Sequence, residues 1–486
     1  MSQGPSIAPR ERAVALCGGA TLAFTAWGFA GVMQWSLHTL LLGGLLTWLC
    51  AVIPLPRWWN GHDGEHGNGK NIRRLLGCPF FWFSLAFLIY ICIQALNPDW
   101  VQVHGENGWW VEERAAIDWL PSGTRADYEP MNAFRVMANF GAAFSLAWGL
   151  WVGLRRRAGV LFVLWVFLFS GVAMAVVAIV QGFTGADAVL WTAPSANEHF
   201  WGSYFYRNQG VAYLNAIITA CAVLYFYHAN RSEERGMSGG PHLLLFFFVM
   251  IVFASVCLAL SRGGILFGGA LVLVFLILAL GRWLFVSAFR HSFLLSVVAG
   301  ILLAGGAVMV FQYVDIQDIE RRFGDIEATI EGADEDSRVI VSKITWKMAQ
   351  DSLWDGWGAG SWRYVFPMYQ KSYPEIFYRG YNKNRGWFGR RYYRYAHNDI
   401  LQFLAEFGIV GCGLLILAFG YWIVLLLFSS SGNALAGIML LAGMALIAAH
   451  AFLDFIFQSP TNWVAFNGLV CLVVKLLSLH SERSAD

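Results

Sequence analysis

The chain has 486 residues, of which 57% are hydrophobic and only 13% are charged. Soluble globular proteins usually carry about 25% charged residues, so this composition excludes an ordinary soluble domain and indicates an all-α, polytopic integral membrane protein. The net charge of +2 identifies no partner, because the charges are segregated by loop. We expect the protein to contact membrane lipids and to bind no nucleic acid.

Apolar runs long enough to cross a bilayer recur along the chain. About 20 helical residues span a hydrocarbon core of roughly 30 Å. The first run follows a polar N-terminus without a small-residue cleavage site, so we expect a retained helix and not a signal peptide. About twelve transmembrane helices are predicted, near residues 13–34, 37–55, 78–96, 132–154, 158–181, 208–229, 242–260, 264–281, 292–313, 398–428, 433–452 and 461–479.

Basic residues fall in alternate loops of this layout. Short loops rich in Lys and Arg mark the cytoplasmic side of a membrane protein, and an even number of spans places both termini on one side. We therefore expect both termini in the cytoplasm. The residues that carry this prediction are Arg10, Arg12, Arg57, Lys70, Arg73, Arg74, Arg155, Arg156, Arg157, Arg231, Arg235, Arg282 and Arg290.

One loop on the opposite side is far longer than a connection requires. It covers residues 314–397. Nine spans at 1–313 precede it, and three spans with a cytoplasmic tail at 398–486 follow it. Loops of this length are usually functional, and we expect short helices in it. Its second half, from Arg363 to Arg394, holds eight basic residues against one acid, Glu375, which favours an anionic ligand.

Three polar residues lie at membrane depth on the same side as the long loop. Arg207 begins the sixth span, Arg262 lies in a short turn before the eighth, and His397 begins the tenth. Charged residues at such positions are functional candidates, and guanidinium groups suit phosphate oxygens. Structural roles remain open: Arg207 as a flanking residue, Arg262 as a turn residue and His397 as a helix cap.

Other polar groups leave alternatives open. Asp399, Gln402 and Glu406 share one helical face and either line a cavity or contact the long loop. His450 and Asp454 lie four residues apart near the outer end of the eleventh span, as supporting groups of a site or as a helix-end pair. The sequence HDGEHG at 62–67 contains metal-ligand residue types, but it lies in a glycine-rich cytoplasmic loop, so no metal site is expected.

The segment that begins at His397 resembles the O-antigen ligase family of membrane glycan transferases. The family pattern of His, a polar residue, nine residues, Gly, two residues and Gly matches His397, Asn398, Gly408 and Gly411. Upstream, "SRVIVSKITWKMAQDSLWDGWGAGSW", which begins at residue 337, resembles the family's Arg-led helix and glycine turn, and "SRGG" at 261–264 resembles its Ser-Arg-Gly element. The layout of about twelve spans with one large outer loop fits the same family.

The resemblance implies a GT-C-like fold with a large periplasmic loop in the bacterial inner membrane. It implies transfer of a glycan from undecaprenyl diphosphate to a hydroxyl of lipid A–core in lipopolysaccharide biosynthesis, by an inverting, metal-independent O-antigen ligase without a cofactor. His397 is the expected general base, because histidine is suited to that role near neutral pH. Arg207 and Arg262 are expected on the donor diphosphate. Weaker candidates for substrate contacts are Arg338, Arg390, Arg391, Arg394 and Asn398.

Three other functions fit the same sequence features. A polymerase would use the same site with a second lipid-linked glycan as the acceptor, and a related enzyme would transfer the glycan to a protein hydroxyl. A polysaccharide transporter is a more distant alternative, because transport requires polar residues along a path through the bilayer, whereas the polar residues here gather at one side.

Overall fold

The computed structural model describes residues 7–54, 56, 69–106, 108–129, 131–237, 239–285, 337–382, 386–428 and 433–484. Ten helices in these ranges are long and apolar enough to cross a membrane, which confirms an all-α polytopic membrane protein. They are α2 (Gln34–Val52), α4 (Pro79–Leu96), α5 (Ala133–Gly153), α6 (Arg157–Phe183), α7 (Arg207–Glu234), α8 (Pro241–Leu258), α9 (Arg262–Phe285), α13 (Asp399–Phe428), α14 (Ala434–Leu453) and α15 (Pro460–Ser484).

Two of the twelve predicted spans differ from these ten. The first, predicted at 13–34, forms the 17-residue helix α1 (Pro9–Thr25) and then a short 3-10 turn at Phe29–Gly31. The ninth, predicted at 292–313, lies outside the described residues. A short helix, α3 (Lys70–Leu76), precedes α4.

Close contact between α2 and α5 depends on small residues. A Cβ atom at Gly149 would lie 2.6 Å from the backbone carbon of Thr47 and from the backbone nitrogen of Trp48. Helices in a membrane associate by van der Waals packing, and small residues let their backbones approach closely. Gly149 therefore fixes the spacing of this pair.

The loops that precede α5, α7 and α13 gather at one end of the bundle, which we call the loop end. Residues 98–125 form a three-stranded sheet in the order β2-β1-β3, with β1 (Pro98–Gly105) antiparallel to β2 (Gly108–Glu113) and parallel to β3 (Gly123–Arg125). Residues 337–390 form α10 (Ser337–Asp351), α11 (Trp362–Gln370), α12 (Pro374–Phe377) and the hairpin of β4 (Tyr378–Asn382) and β5 (Gly386–Arg390). The described part of the long loop thus contains the expected short helices.

The loop helices have a hydrophobic core of their own. Side chains of α10 and α11, including Ile344, Met348 and Trp362, pack with Ile376 and with Ala405 of α13. Because α13 belongs both to this core and to the helix bundle, it joins the long loop rigidly to the membrane helices.

Described residues of the set predicted to be cytoplasmic, such as Arg10 and Arg157, lie at the opposite end of the bundle, whereas Arg57 and Arg290 lie outside the described residues. Arg10 donates hydrogen bonds to the carbonyls of Ala51 and Ile53, and Arg157 donates to the carbonyl of Leu479. The orientation of this end, and of both termini, in the cytoplasm stays a prediction.

Candidate active site at the loop end

His397 is held in a strained backbone conformation directly before α13. Its φ angle is +55°, in the left-handed region that is uncommon for residues other than glycine. Such strain costs about 1–3 kcal/mol and concentrates at functional sites. The next residue, Asn398, is buried, and its Oδ1 accepts a hydrogen bond of 3.0 Å from the backbone N–H of Leu401, as a helix N-cap does.

The carboxylate of Asp454 faces the His397 imidazole. Nδ1 of His397 lies 3.5 Å from Oδ1 of Asp454, and the Asp454 side chain is buried whereas that of His397 is 25% exposed. Burial alone would raise the pKa of Asp454, but the neighbouring imidazole and the charge of Arg338 outweigh it, so the pKa of Asp454 lies below its ordinary value. Asp454 is therefore a buried anion beside the imidazole.

Residues from the start of α7 hold this carboxylate. The side-chain amide of Asn208 donates a hydrogen bond to Oδ2 of Asp454, and the hydroxyl of Tyr206 lies 3.4 Å from the same oxygen. Burial and the charge of Asp454 raise the pKa of Tyr206, against the opposing charges of Arg338 and Arg207. The Tyr206 hydroxyl is thus a neutral donor.

Phe455 connects the aromatic residues around the site. Tyr206 and Tyr395 both stack on its ring, with centroids 4.6 Å and 4.8 Å away. The imidazole of His397 meets the same ring edge-on at 4.6 Å. These contacts fix the ring plane of His397 and close one side of the site with apolar surface.

The three candidate arginines Arg207, Arg262 and Arg338 lie around this centre. Arg207 is the first residue of α7, next to Asn208, and Arg338 lies in the first turn of α10, where its charge acts on Asp454. Arg262 is the first residue of α9. A Cβ on the following residue, Gly263, would lie 3.3 Å from Nε2 of His450, one turn before Asp454.

The basic residues after β4 do not join this centre through any contact among the described residues. The Arg390 guanidinium lies over the ring of Phe377, 5.6 Å from its centroid, and the backbone N–H of Arg391 donates to the carbonyl of Phe377. Arg394 is exposed and lines a separate cavity. Their predicted substrate contacts remain predictions.

The polar stripe on α13 serves the fold. Asp399 accepts hydrogen bonds from the backbone of Phe457 and the side chain of Gln458. Gln402 accepts from the backbone N–H of Ala396 and donates to Glu406. The two alternatives for this stripe are thus not exclusive, because the stripe contacts the long loop while Glu406 also lines the cavity that contains Arg394.

Gly408 breaks α13 so that the long loop can pair with it. Its φ is +61° and ψ is −171°, a combination open essentially only to glycine. The N–H groups of Ile409 and Val410 donate to the carbonyls of Leu353 and Trp354 at 2.9 Å and 3.1 Å. The second motif glycine, Gly411, is a close-packing position, where a Cβ atom would lie 3.0 Å from the ring of Tyr90 and 2.6 Å from Cβ of Phe407.

Sequence reasoning gave too little weight to Asp454 and overlooked Tyr206 and Asn208. Asp454 had a usable signal, since an acid at the outer end of a span lies at the same depth as His397. Tyr206 and Asn208 flank Arg207 in "YRN", but nothing local indicates that they reach a residue some 250 positions later.

Comparison with known families identifies one part of the chain. No curated protein sequence matches the chain. The model of the O-antigen ligase family matches residues 245–416, a stretch that includes Arg262, Arg338, His397 and both motif glycines, whereas Arg207 and Asp454 lie outside it. The match confirms the predicted family, and the activity it supports in general is glycan transfer of the ligase or polymerase type on lipid-linked glycan substrates. Residues 245–416 are therefore an O-antigen ligase family domain within a polytopic membrane protein.

Proposed function

We propose that this protein is an O-antigen ligase that moves a glycan from undecaprenyl diphosphate to a hydroxyl of lipid A–core. The observation that carries the proposal is the strained His397 imidazole, 3.5 Å from a buried Asp454 carboxylate, at the end of the bundle where the arginines Arg207, Arg262 and Arg338 gather. A base beside a cluster of cations suits an acceptor hydroxyl and a diphosphate leaving group.

The proposed reaction is a direct displacement. Nδ1 of His397 faces Asp454, which favours the tautomer with the proton on Nδ1 and leaves Nε2 as the acceptor atom. As the acceptor hydroxyl attacks the anomeric carbon, its proton passes to Nε2 and the new C–O bond forms. The bond from that carbon to the diphosphate oxygen breaks, and its electron pair leaves with undecaprenyl diphosphate. A single displacement inverts the anomeric centre.

Arg207 and Arg262 are the proposed donor-binding residues, with Arg338 as a further contact. Charge develops on the diphosphate as the glycosidic bond breaks, and preorganised cations stabilise such charge in a site with little water. Guanidinium forks also match phosphate oxygens geometrically. The reaction in this proposal needs no metal ion.

The proposed location is the periplasmic face of the inner membrane, with both termini in the cytoplasm. The basic residues at the end opposite the site support this orientation through the positive-inside rule. The periplasm supplies neither ATP nor nucleotide sugars, so a glycan must arrive there already activated on its lipid.

Two other functions, a polymerase and a transporter, would give different results in the assay described below. A polymerase would place a second lipid-linked glycan at His397. A transporter would need polar groups along the bundle, and among the described residues the candidate arginines and His397 gather at the loop end.

The test is a reconstitution of the purified chain with a lipid-linked glycan, with and without lipid A–core. A glycan joined to lipid A–core supports the ligase. A ladder of longer lipid-linked glycans without added core would support the polymerase instead. No new glycosidic product with either acceptor would contradict glycan transfer to these acceptors.

A further inference from the structure

A cavity of about 450 Å³ lies beside the candidate active site. His397 does not line it, but Tyr395 does, and Tyr395 stacks on Phe455, against which His397 also packs. Two aromatic rings therefore separate the cavity from the proposed base. Its volume falls within the range of small-molecule sites.

One wall of the cavity carries a buried arginine. The Arg363 side chain is only 4% exposed and lies over the ring of Tyr395, with its guanidinium carbon 5.1 Å from the ring centroid. Among the described residues it makes neither a hydrogen bond nor an ion pair within 4 Å, although its charge acts on Glu406. Buried guanidinium groups are normally paired, because burial of an unpaired charge is costly.

The acids that line the same cavity are already engaged. Glu406 accepts hydrogen bonds from the backbone N–H of Gly360 at 3.1 Å and from the side chain of Gln402 at 3.0 Å. Glu129 lies 3.6 Å from Arg135. A second cation, Arg394, lines the cavity without an acidic partner among the described residues. The three arginines and two acids leave a net positive lining.

The remaining walls suit a sugar. Phe403, Phe457 and Trp463 pack together and form an apolar aromatic wall of the cavity, against which the apolar face of a sugar can pack. Two buried polar atoms of lining residues, Oδ1 of Asn139 and Nε1 of Trp463, have no hydrogen-bond partner among the described residues. One is an acceptor and the other a donor, and a hydroxyl group satisfies both types.

We infer that this cavity is a subsite for an acidic sugar, one that carries a carboxylate or a phosphate, within the glycan that reaches His397. Arg363 and Arg394 would bind the anionic group, while Trp463 and the phenylalanine rings would bind the sugar face. This inference rests on the proposed function, since it takes the ligand to be part of a transferred or accepting glycan. The acidic sugar belongs either to the donor glycan or to the acceptor.

The first experiment measures binding to the purified full chain in neutral-lipid nanodiscs. The probes are glucose, glucose 6-phosphate and glucuronate, followed by saturation-transfer NMR. We expect the two charged probes to bind at least about tenfold more tightly than glucose. Equal binding of charged and neutral probes would overturn the inference.

Substitutions then test whether Arg394 and Arg363 bind the charged probes. Arg394→Met should weaken binding of the charged probes about tenfold and leave glucose unchanged, and because Arg394 is exposed the variant should fold. Arg363→Met should do the same, with Arg363→Lys as the variant that retains charge if the first does not fold. Arg235→Met, at the opposite end of the bundle, is the matched control. Unchanged binding of charged probes to Arg394→Met would overturn the assignment.

The last experiment shows whether the acidic sugar belongs to the donor or to the acceptor. It also tests the acidic-sugar subsite separately from the proposed glycan transfer. In the transfer assay, Arg394→Met should raise KM for the substrate that carries the acidic sugar, donor or acceptor, with kcat unchanged. A fall in kcat at unchanged KM for both substrates would contradict a binding subsite. If the wild type binds the charged probes selectively but transfers no glycan, the proposed function fails while the acidic-sugar site stands.

Discussion

Replacement of Asp454 by Asn tests whether the carboxylate supports His397 in the reaction. The substitution keeps the size of the side chain and removes its charge from a position 3.5 Å from Nδ1 of His397. Two unit charges about 4 Å apart attract by about 4 kcal/mol at an effective dielectric constant of about 20. The imidazolium that forms in the transition state would lose up to this stabilisation, so kcat should fall by as much as about a thousandfold.

The assay is the reconstituted transfer reaction under single-turnover conditions, with KM for the donor measured separately. Asp187→Asn is the control, since it removes an exposed acid at the same end of the bundle. We expect Asp454→Asn to lower kcat by at least about tenfold, with little change in KM, and Asp454→Glu to recover part of the rate. A wild-type kcat in Asp454→Asn would refute the role of the carboxylate.

Gly408, the ionised Asp454 and Arg207 each give a further test. Gly408→Ala should destabilise the protein by at least about 1–3 kcal/mol, because its Cβ would lie 2.2 Å from the carbonyl oxygen of Trp354. The measurement is a lower apparent Tm. Gly413→Ala is the control and should not lower the Tm, because nothing lies within 4 Å of its Cβ position. The stabilisation due to ionised Asp454 is fully present above the ordinary Asp pKa of about 3.9 and is lost as pH falls through its lower folded pKa. The Tm difference between wild type and Asp454→Asn should thus persist from pH 8 to 5 and shrink below about pH 4; a difference that shrinks between pH 8 and 5 would contradict this. Arg207→Lys keeps the charge but loses the planar fork, and should lower the rate of transfer about tenfold; an unchanged rate would remove Arg207 from the donor site.

Local sequence patterns predicted the membrane helices because each span depends on its own composition. Hydropathy and the distribution of arginine located ten helices that the structure contains, with bounds within a few residues. The first span was predicted too long, because the apolar run continues beyond Thr25, where α1 ends, into a 3-10 turn in which Phe29 and Ala30 take positive φ angles. Composition does not reveal that break.

The sequence identified candidate site residues only where a residue is unusual in its local context. His397 and the arginines stood out as polar groups at helix mouths, and Gly408 and Gly411 stood out only through the family pattern. The contacts of Asp454 with His397 and Asn208 join segments 57 and 246 positions apart, so no local pattern pairs them. Arg363 was counted only as one charge in a basic loop half, and its burial depends on the packing of α11 against α13.

The strained backbone at His397 was likewise not predictable. A φ of +55° is imposed by the N-cap of α13 on one side and by the packed loop on the other. The sequence shows His-Asn before an apolar run, which is also an ordinary helix start. Only the folded arrangement distinguishes the two.

In the proposed reaction, His397 removes the proton from the acceptor hydroxyl. The most direct measurement is the single-turnover rate of glycan transfer by wild type and by His397→Ala, both in EDTA, with donor binding measured in parallel. We expect full wild-type activity in EDTA and a loss of at least about a hundredfold in His397→Ala with donor binding unchanged. Transfer by His397→Ala at the wild-type rate would contradict it.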